Sequence, residues 1–271
     1  MISFLINAIK IIFLLGFLII IHEGGHFFVA KLCKVKVKEF SIGFGKIIWQ
    51  KQKKETKYTI RLIPLGGFCS MEGEDEESSE EGSFSKASVG KRMAIVLAGA
   101  AVNILFGILV YFILISTVAI QFADPAKDTI LNRIIYGAKN TWSFIVSILS
   151  SVKSIFTGGL VADQMVGIVG ISEVVVKTTG LVNYIYLLAI ISVSLGVTNL
   201  FPIPALDGGK ILILLIEIIR GKPMKVETEA KIQLIGFSLL FALFLFVTYN
   251  DILRISTRSL NCYSLMHNIW Q

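Results

Sequence analysis

The chain is poor in the side chains that most often build sites. Its 271 residues include only three cysteines and three histidines. The cysteines, Cys33, Cys69 and Cys262, are odd in number and form no CxxC pair, which excludes a disulfide framework and a cysteine-ligated zinc site. No Lys or Arg precedes Lys10, so the first apolar run lacks the positive segment that opens a cleaved leader and reads as a membrane span. Acidic residues are outnumbered, 19 against 26 Lys and Arg, for a net charge of +7. The excess sits in loops near the ends of apolar runs, so it reports topology, and no nucleic-acid partner is expected. No internal repeat is found.

What the chain has in quantity is apolar length. It is 54% hydrophobic, with a mean hydropathy of +0.75, too apolar for a soluble domain of this size. Runs of about 18 or more apolar residues are candidate membrane spans. Four are read here, at about 4–32, 93–122, 184–201 and 232–249; the third is broken by Ser192, Ser194, Thr198 and Asn199. The predicted fold class is an all-α polytopic membrane protein with about four transmembrane helices. A single domain over 1–271 is expected, ending in an irregular tail over 256–271.

Charge then orients the spans. Residues 31–92 hold 13 Lys and Arg, and 123–183 hold five. The positive-inside rule makes 31–92 cytoplasmic and 123–183 external. Within 31–92, "VKVKEFSIGFGKIIWQ" and "TKYTIRLIPLGGF" combine partial alternation with glycine punctuation, which predicts a small membrane-associated β-hairpin region. "EGEDEESSEEG", residues 72–82, reads as a solvated acidic loop. In the external segment Ile135, Ala138, Trp142, Ile145, Leu149, Val152 and Phe156 recur at helical spacing, with serines and Lys153 on the other side. That predicts an amphipathic helix on or against the membrane.

Against this background "HEGGH", residues 22–26, stands out. Ionisable side chains at membrane depth cost at least about 2.5 kcal/mol each for charged types, so a cluster of them needs a reason. Histidines at i and i+4 share one helix face and can grip one ion. Glu23 lies between them, placed to act as general base on a water that zinc has brought to a pKa near 7. A catalytic zinc takes three protein ligands, and the third histidine, His267, lies in the polar tail. A carboxylate is therefore favoured. Asp207, in "NLFPIPALDGG", is the strongest candidate. Spans one and three leave the membrane on the same side, so His22, His26 and Asp207 can meet near the cytoplasmic face. Pro202 and Pro204 interrupt helix there, and irregular backbone at membrane depth is tolerated where it is buried or lines a wet cavity.

With these residues in place, the sequence resembles the site-2 protease family of intramembrane zinc metalloproteases, and within it the bacterial branch named for the regulator of sigma-E protease. The likeness covers roughly residues 15–255. It rests on HEGGH with "NLFPIPALDGG", supported by "FSIGFGKIIW", "YTIRLIPLGGF", "SVGKRMAIVLAGAAVNILFG" and the late Asn250–Asp251 pair. The resemblance implies one Zn2+ per chain held by His22, His26 and Asp207, with Glu23 as catalytic base. It implies that Asn199 and Pro202 help hold an unwound substrate, and that the hairpins at Gly43–Gly45 and Pro64–Gly67 present it as an added strand. Implied partners are the lipid bilayer and single-span membrane-protein substrates such as anti-sigma factors or remnant signal peptides. The implied location is the bacterial cell membrane, multi-pass, with the active site near the cytoplasmic face.

The sequence departs from the family pattern in three places. Ala100 stands where proline is common, "VGIVGI" replaces a later Gly-Pro segment, and 123–183 is too short for a PDZ domain beside its helix. A competing reading of a different class is a multi-span metal-binding or metal-transporting protein. Transporters place sites at the midplane and often contain repeats, whereas this site lies towards one face of a chain without repeats.

Overall fold

The structure is a computed structural model that describes residues 2–74, 76, 78–118, 128–157 and 167–269. In chain order it has α1 (Ile2–Leu32), β1 (Val37–Lys53), β2 (Thr56–Met71), α2 (Val89–Thr117), α3 (Ile130–Phe156), α4 (Ile168–Lys177), α5 (Leu181–Asn199), α6 (Asp207–Arg220) and α7 (Val226–Ile269). Among the described residues four helices are long and apolar enough to cross a membrane: Phe4–Leu32, Val89–Thr117, Leu181–Asn199 and Val226–Arg254. They correspond one to one with the four apolar runs.

The tail is a correction. Residues 256–269 continue α7 as helix instead of forming irregular chain. After Gly236 this segment contains neither glycine nor proline. Once a helix is nucleated, each added residue gains a hydrogen bond, and nothing here stops propagation.

β1 and β2 are long, bent strands that pair antiparallel. Residues 47–53 and 56–61 of the pair form a hairpin, while residues 39–42 lie between two parts of β2, residues 57–60 and 67–70. Two strands thus build a small three-stranded sheet directly after α1, where the hairpin region was expected. Gly43 and Gly45 bend β1 at positive φ, 87° and 84°. The far end of the sheet exposes Phe44, Ile48, Trp49, Leu62 and Ile63. So apolar a surface marks contact with membrane or another apolar partner. The near end is anchored: Val37, Cys69 and Met71 pack with Ala30 of α1, Ile95 of α2 and Leu214 of α6.

α2 is the central helix. It packs on α1 on one side and α5 on another, and the Ser192 hydroxyl of α5 donates to the Asn103 carbonyl at 2.8 Å. α6 is fastened to the start of α2 by an ion pair between Glu217 and Arg92, both largely buried. At the opposite end Leu14 and Leu18 of α1 pack with Val175 of α4 and Leu188 of α5. There the Asp251 carboxylate of α7 accepts hydrogen bonds from the backbone N–H groups of Gly167 and Gly170, at 3.0 and 2.8 Å. It serves as an N-terminal cap supplied by another helix.

α3 takes an unexpected course. It runs lengthwise against α2 in the reverse direction. Gly137 lies at Ser116, the Phe144 ring stacks on Tyr111 at 4.3 Å, and Ile145 and Val152 share an apolar cavity with Ile108 and Ile104. Its 27 residues make a rod of about 40 Å. Three of its five serines bond back to their own helix: Ser143 to the Lys139 carbonyl at 3.1 Å, Ser151 to that of Ser147 at 3.0 Å, Ser154 to that of Ser151 at 2.7 Å. Hydroxyls satisfied this way are compatible with apolar surroundings. α4 begins beside Asp251, at the end of the bundle where α3 also starts, so the parity linking α1 to α5 is kept.

Candidate metal centre

His22 and His26 stand one turn apart on α1 and both face α2. The approach is close because residue 99 is glycine: a Cβ there would lie 2.3 Å from His26 Nε2 and 2.9 Å from a His22 ring carbon. The rings are edge-on, with centroids 4.8 Å apart. His26 Nδ1 meets the Ile95 carbonyl at 2.8 Å, which fixes that ring and leaves Nε2 free to face an ion.

Asp207 is not at the end of the third span but is the first residue of a separate helix, α6. Residues 200–206 form the link, with Pro202, Pro204 and an Ala205 held at φ 75°. That left-handed conformation costs a non-glycine residue of order 1–2 kcal/mol. It is held by the Ala205 N–H donating to Gln233 Oε1 of α7 at 2.5 Å. Gly208 then lets the new helix tuck under the link, since a Cβ there would fall 2.2 Å from the Phe201 carbonyl. An acidic residue in the first turn suits the positive end of the helix dipole.

The result is a triangle of potential ligand atoms. Asp207 Oδ2 is 3.2 Å from His22 Nε2 and 3.4 Å from His26 Nε2. The two Nε2 atoms are 3.3 Å apart. An ion with tetrahedral ligands at about 2.0–2.1 Å places those ligands about 3.3–3.4 Å from one another. The triangle has that size. Asp207 Oδ2 is also buried without a hydrogen-bond partner, a costly state that a cation would relieve. Two imidazoles and a carboxylate are a donor set suited to zinc.

Glu23 faces the same cavity, of about 470 Å³, with His22, His26 and Asp207. Residues 68–71 of β2 form another wall, and the Cys69 backbone hydrogen-bonds to the Glu23 carboxyl. This stretch pairs with β1 on one side only among the described residues, so its other edge carries no strand, though the Cys69 backbone there meets Glu23. Lys210 and Glu74 form the rim, joined at 2.6 Å.

Of the residues singled out in the sequence, His22, Glu23, His26 and Asp207 are brought together. Asn199 ends α5, Pro202 lines the apolar cavity beside α3, and Gly43 and Gly45 lie in the bent part of β1. None of these four is among the residues lining the Glu23 cavity. Sequence reasoning missed Gly99, Asn103 and the strand wall. Asn103 had a signal, being a polar residue inside an apolar run like the histidines themselves.

An HExxH helix set in an apolar bundle, with a carboxylate brought against both histidines, marks a metallopeptidase built into a membrane. The chain belongs to Peptidase family M50, whose profile matches residues 10–243. It is 29% identical over 329 aligned positions to a Clostridium acetobutylicum protein named among the zinc metalloproteases, covering 91% of this chain and 97% of that one. It is 26% identical to the "Regulator of sigma-W protease RasP" of Bacillus subtilis over 419 positions, 93% of this chain and 99% of that one. The "Zinc metalloprotease RasP" of Bacillus licheniformis is 25% identical over 415 positions, covering 92% and 99%. Both Bacillus alignments run far past the 271 residues of this chain, so those relatives contain inserted segments that it lacks.

Proposed function

We propose that this chain is a zinc-dependent intramembrane endopeptidase that cuts single-span membrane proteins within or beside their transmembrane helices. His22, His26 and Asp207 hold the ion and Glu23 is the general base. The observation that carries this reading is the ligand triangle of zinc dimensions sharing one cavity with Glu23. His22, His26 and Asp207 would hold the zinc, which would supply a Lewis acid able to bring a water to a pKa near 7 and to polarise a peptide carbonyl.

The chain's own residues supply the rest. Glu23 takes the proton of the attacking water and returns it to the leaving nitrogen. The strand-free edge at residues 68–71 binds the substrate as an added strand, which keeps its backbone extended and its peptide bond accessible. Asn199, Pro202 and the Gly43–Gly45 bend are proposed to act at a distance from the bond, where the substrate helix unwinds.

The cavity is proposed to face the cytoplasm of a bacterial cell membrane, on the side of the Lys-rich 31–92 segment. The sigma-W name of the Bacillus subtilis relative supports regulatory substrates of the anti-sigma type; remnant signal peptides are a second class. Between α2 and α5 the described residues form only helices α3 and α4. We take the enzyme to be one domain without a PDZ filter, selecting substrates by how readily their own span unwinds.

The test is cleavage of a fluorogenic single-span peptide by purified protein in proteoliposomes. Chelator should abolish cleavage and stoichiometric zinc should restore it. Cleavage that survives complete metal removal would contradict the reading.

A further inference from the structure

His22 poses a problem that His26 does not. For Nε2 to face an ion it must be unprotonated, and a neutral imidazole then has its proton on Nδ1. His26 Nδ1–H has an acceptor, the Ile95 carbonyl at 2.8 Å. His22 Nδ1 meets the side-chain amide of Asn103, 3.4 Å from its Nδ2. A donor would then face a donor. Meanwhile Asn103 Oδ1 is buried without a hydrogen-bond partner.

One rotation of the amide removes both anomalies, and carries Nδ2 to the place Oδ1 now holds. The nitrogen and oxygen of an amide are told apart by their hydrogen-bond network. Turning the Asn103 amide by a half-rotation sets Oδ1 against His22 Nδ1–H, giving the proton an acceptor and the oxygen a donor. Asn103 is wholly buried, and the Ser192 bond to its carbonyl pins that turn of α2. We propose that Asn103 is a positioning residue: its side-chain oxygen accepts from His22 Nδ1–H, fixing the tautomer and ring plane that aim Nε2 at the metal. This rests on the zinc site proposed above. Both histidines of HEGGH are then oriented from α2, one by a backbone carbonyl and one by a side chain.

The test compares Asn103→Leu, which keeps the volume and loses the acceptor, with Asn103→Asp, which keeps an acceptor oxygen. Zinc affinity is measured by competition with a chromophoric chelator, alongside the visible spectrum of the Co2+-loaded protein and the thermal transition of the metal-free protein. Loss of such an outer hydrogen bond lowers metal affinity about 10–100-fold. Asn103→Leu should show that loss and an altered Co2+ spectrum with an unchanged metal-free transition, and Asn103→Asp should return to within a few-fold of wild type. Equal zinc affinity in wild type and Asn103→Leu overturns the proposal, as does an Asn103→Asp affinity as low as that of Asn103→Leu. Should Asn103→Leu not fold, the 15N shifts of His22 in the wild type decide: a protonated Nδ1 supports the assignment and a protonated Nε2 overturns it. Wild-type zinc stoichiometry reports on the site itself; wild-type protein that takes up no zinc removes the site reading along with this one.

Discussion

Asp207 Oδ2 lies 3.2 Å from His22 Nε2 although the two residues are far apart in the sequence. α1 supplies one and α6 the other, and the proline-broken link with its strained Ala205 sets the distance. Asp207→Ala should lower zinc affinity by more than about 100-fold, since losing a ligand exceeds the loss of an outer hydrogen bond. Chelator competition measures it. Unchanged affinity would move the third ligand elsewhere. Two other carboxylates of the helical bundle are already in ion pairs, Glu173 with Lys177 and Glu217 with Arg92.

Gly99→Ala separates the site from the helix. Alanine improves helix propensity by about 1 kcal/mol over glycine, so α2 should remain intact. The added Cβ would sit 2.3 Å from His26 Nε2. The expected outcome is unchanged far-ultraviolet circular dichroism with metal content greatly reduced. A variant that binds zinc normally would show that α1 and α2 can part without disturbing the triangle.

The Arg92–Glu217 pair holds α6, and so Asp207, against α2. Breaking a buried pair from one side costs about 3–5 kcal/mol, whereas replacing both partners by apolar residues is often neutral. Arg92→Met should therefore lower the thermal transition well below that of the double variant Arg92→Met with Glu217→Leu. Equal transitions for the two would mean that the pair is effectively solvated.

HEGGH was legible because three ionisable groups in an apolar run have few explanations, and Asp207 because the parity of spans placed it on the same side. The same logic applied to Asn103 and would have found it. α6 was harder to read: its apolar residues follow the link so closely that they look like the end of the third span, and only the prolines mark the break. The course of α3 was not legible, because periodicity tells which residues share a face but not which surface receives it. The tail illustrates the converse, since polar residues without a breaker extended α7.

α3 gives a prediction of its own. With three of its serines satisfied inside the helix, it lies along α2 instead of at the water interface. In a cysteine-free background, a cysteine at Asp128 should react with a membrane-impermeant thiol reagent from the side opposite Ser78, and one at Ser147 should react far more slowly. Equal rates at Asp128 and Ser147 would place α3 on the surface.

The central claim is that one cavity joins a zinc site to a general base, and Glu23→Gln tests it most directly. The amide keeps the shape of the side chain and cannot take a proton. Zinc content and cleavage of the single-span peptide should be measured on the same preparation. The account predicts about one zinc per chain with cleavage reduced by at least about 100-fold, the scale of general-base catalysis. Full cleavage with full zinc would contradict it.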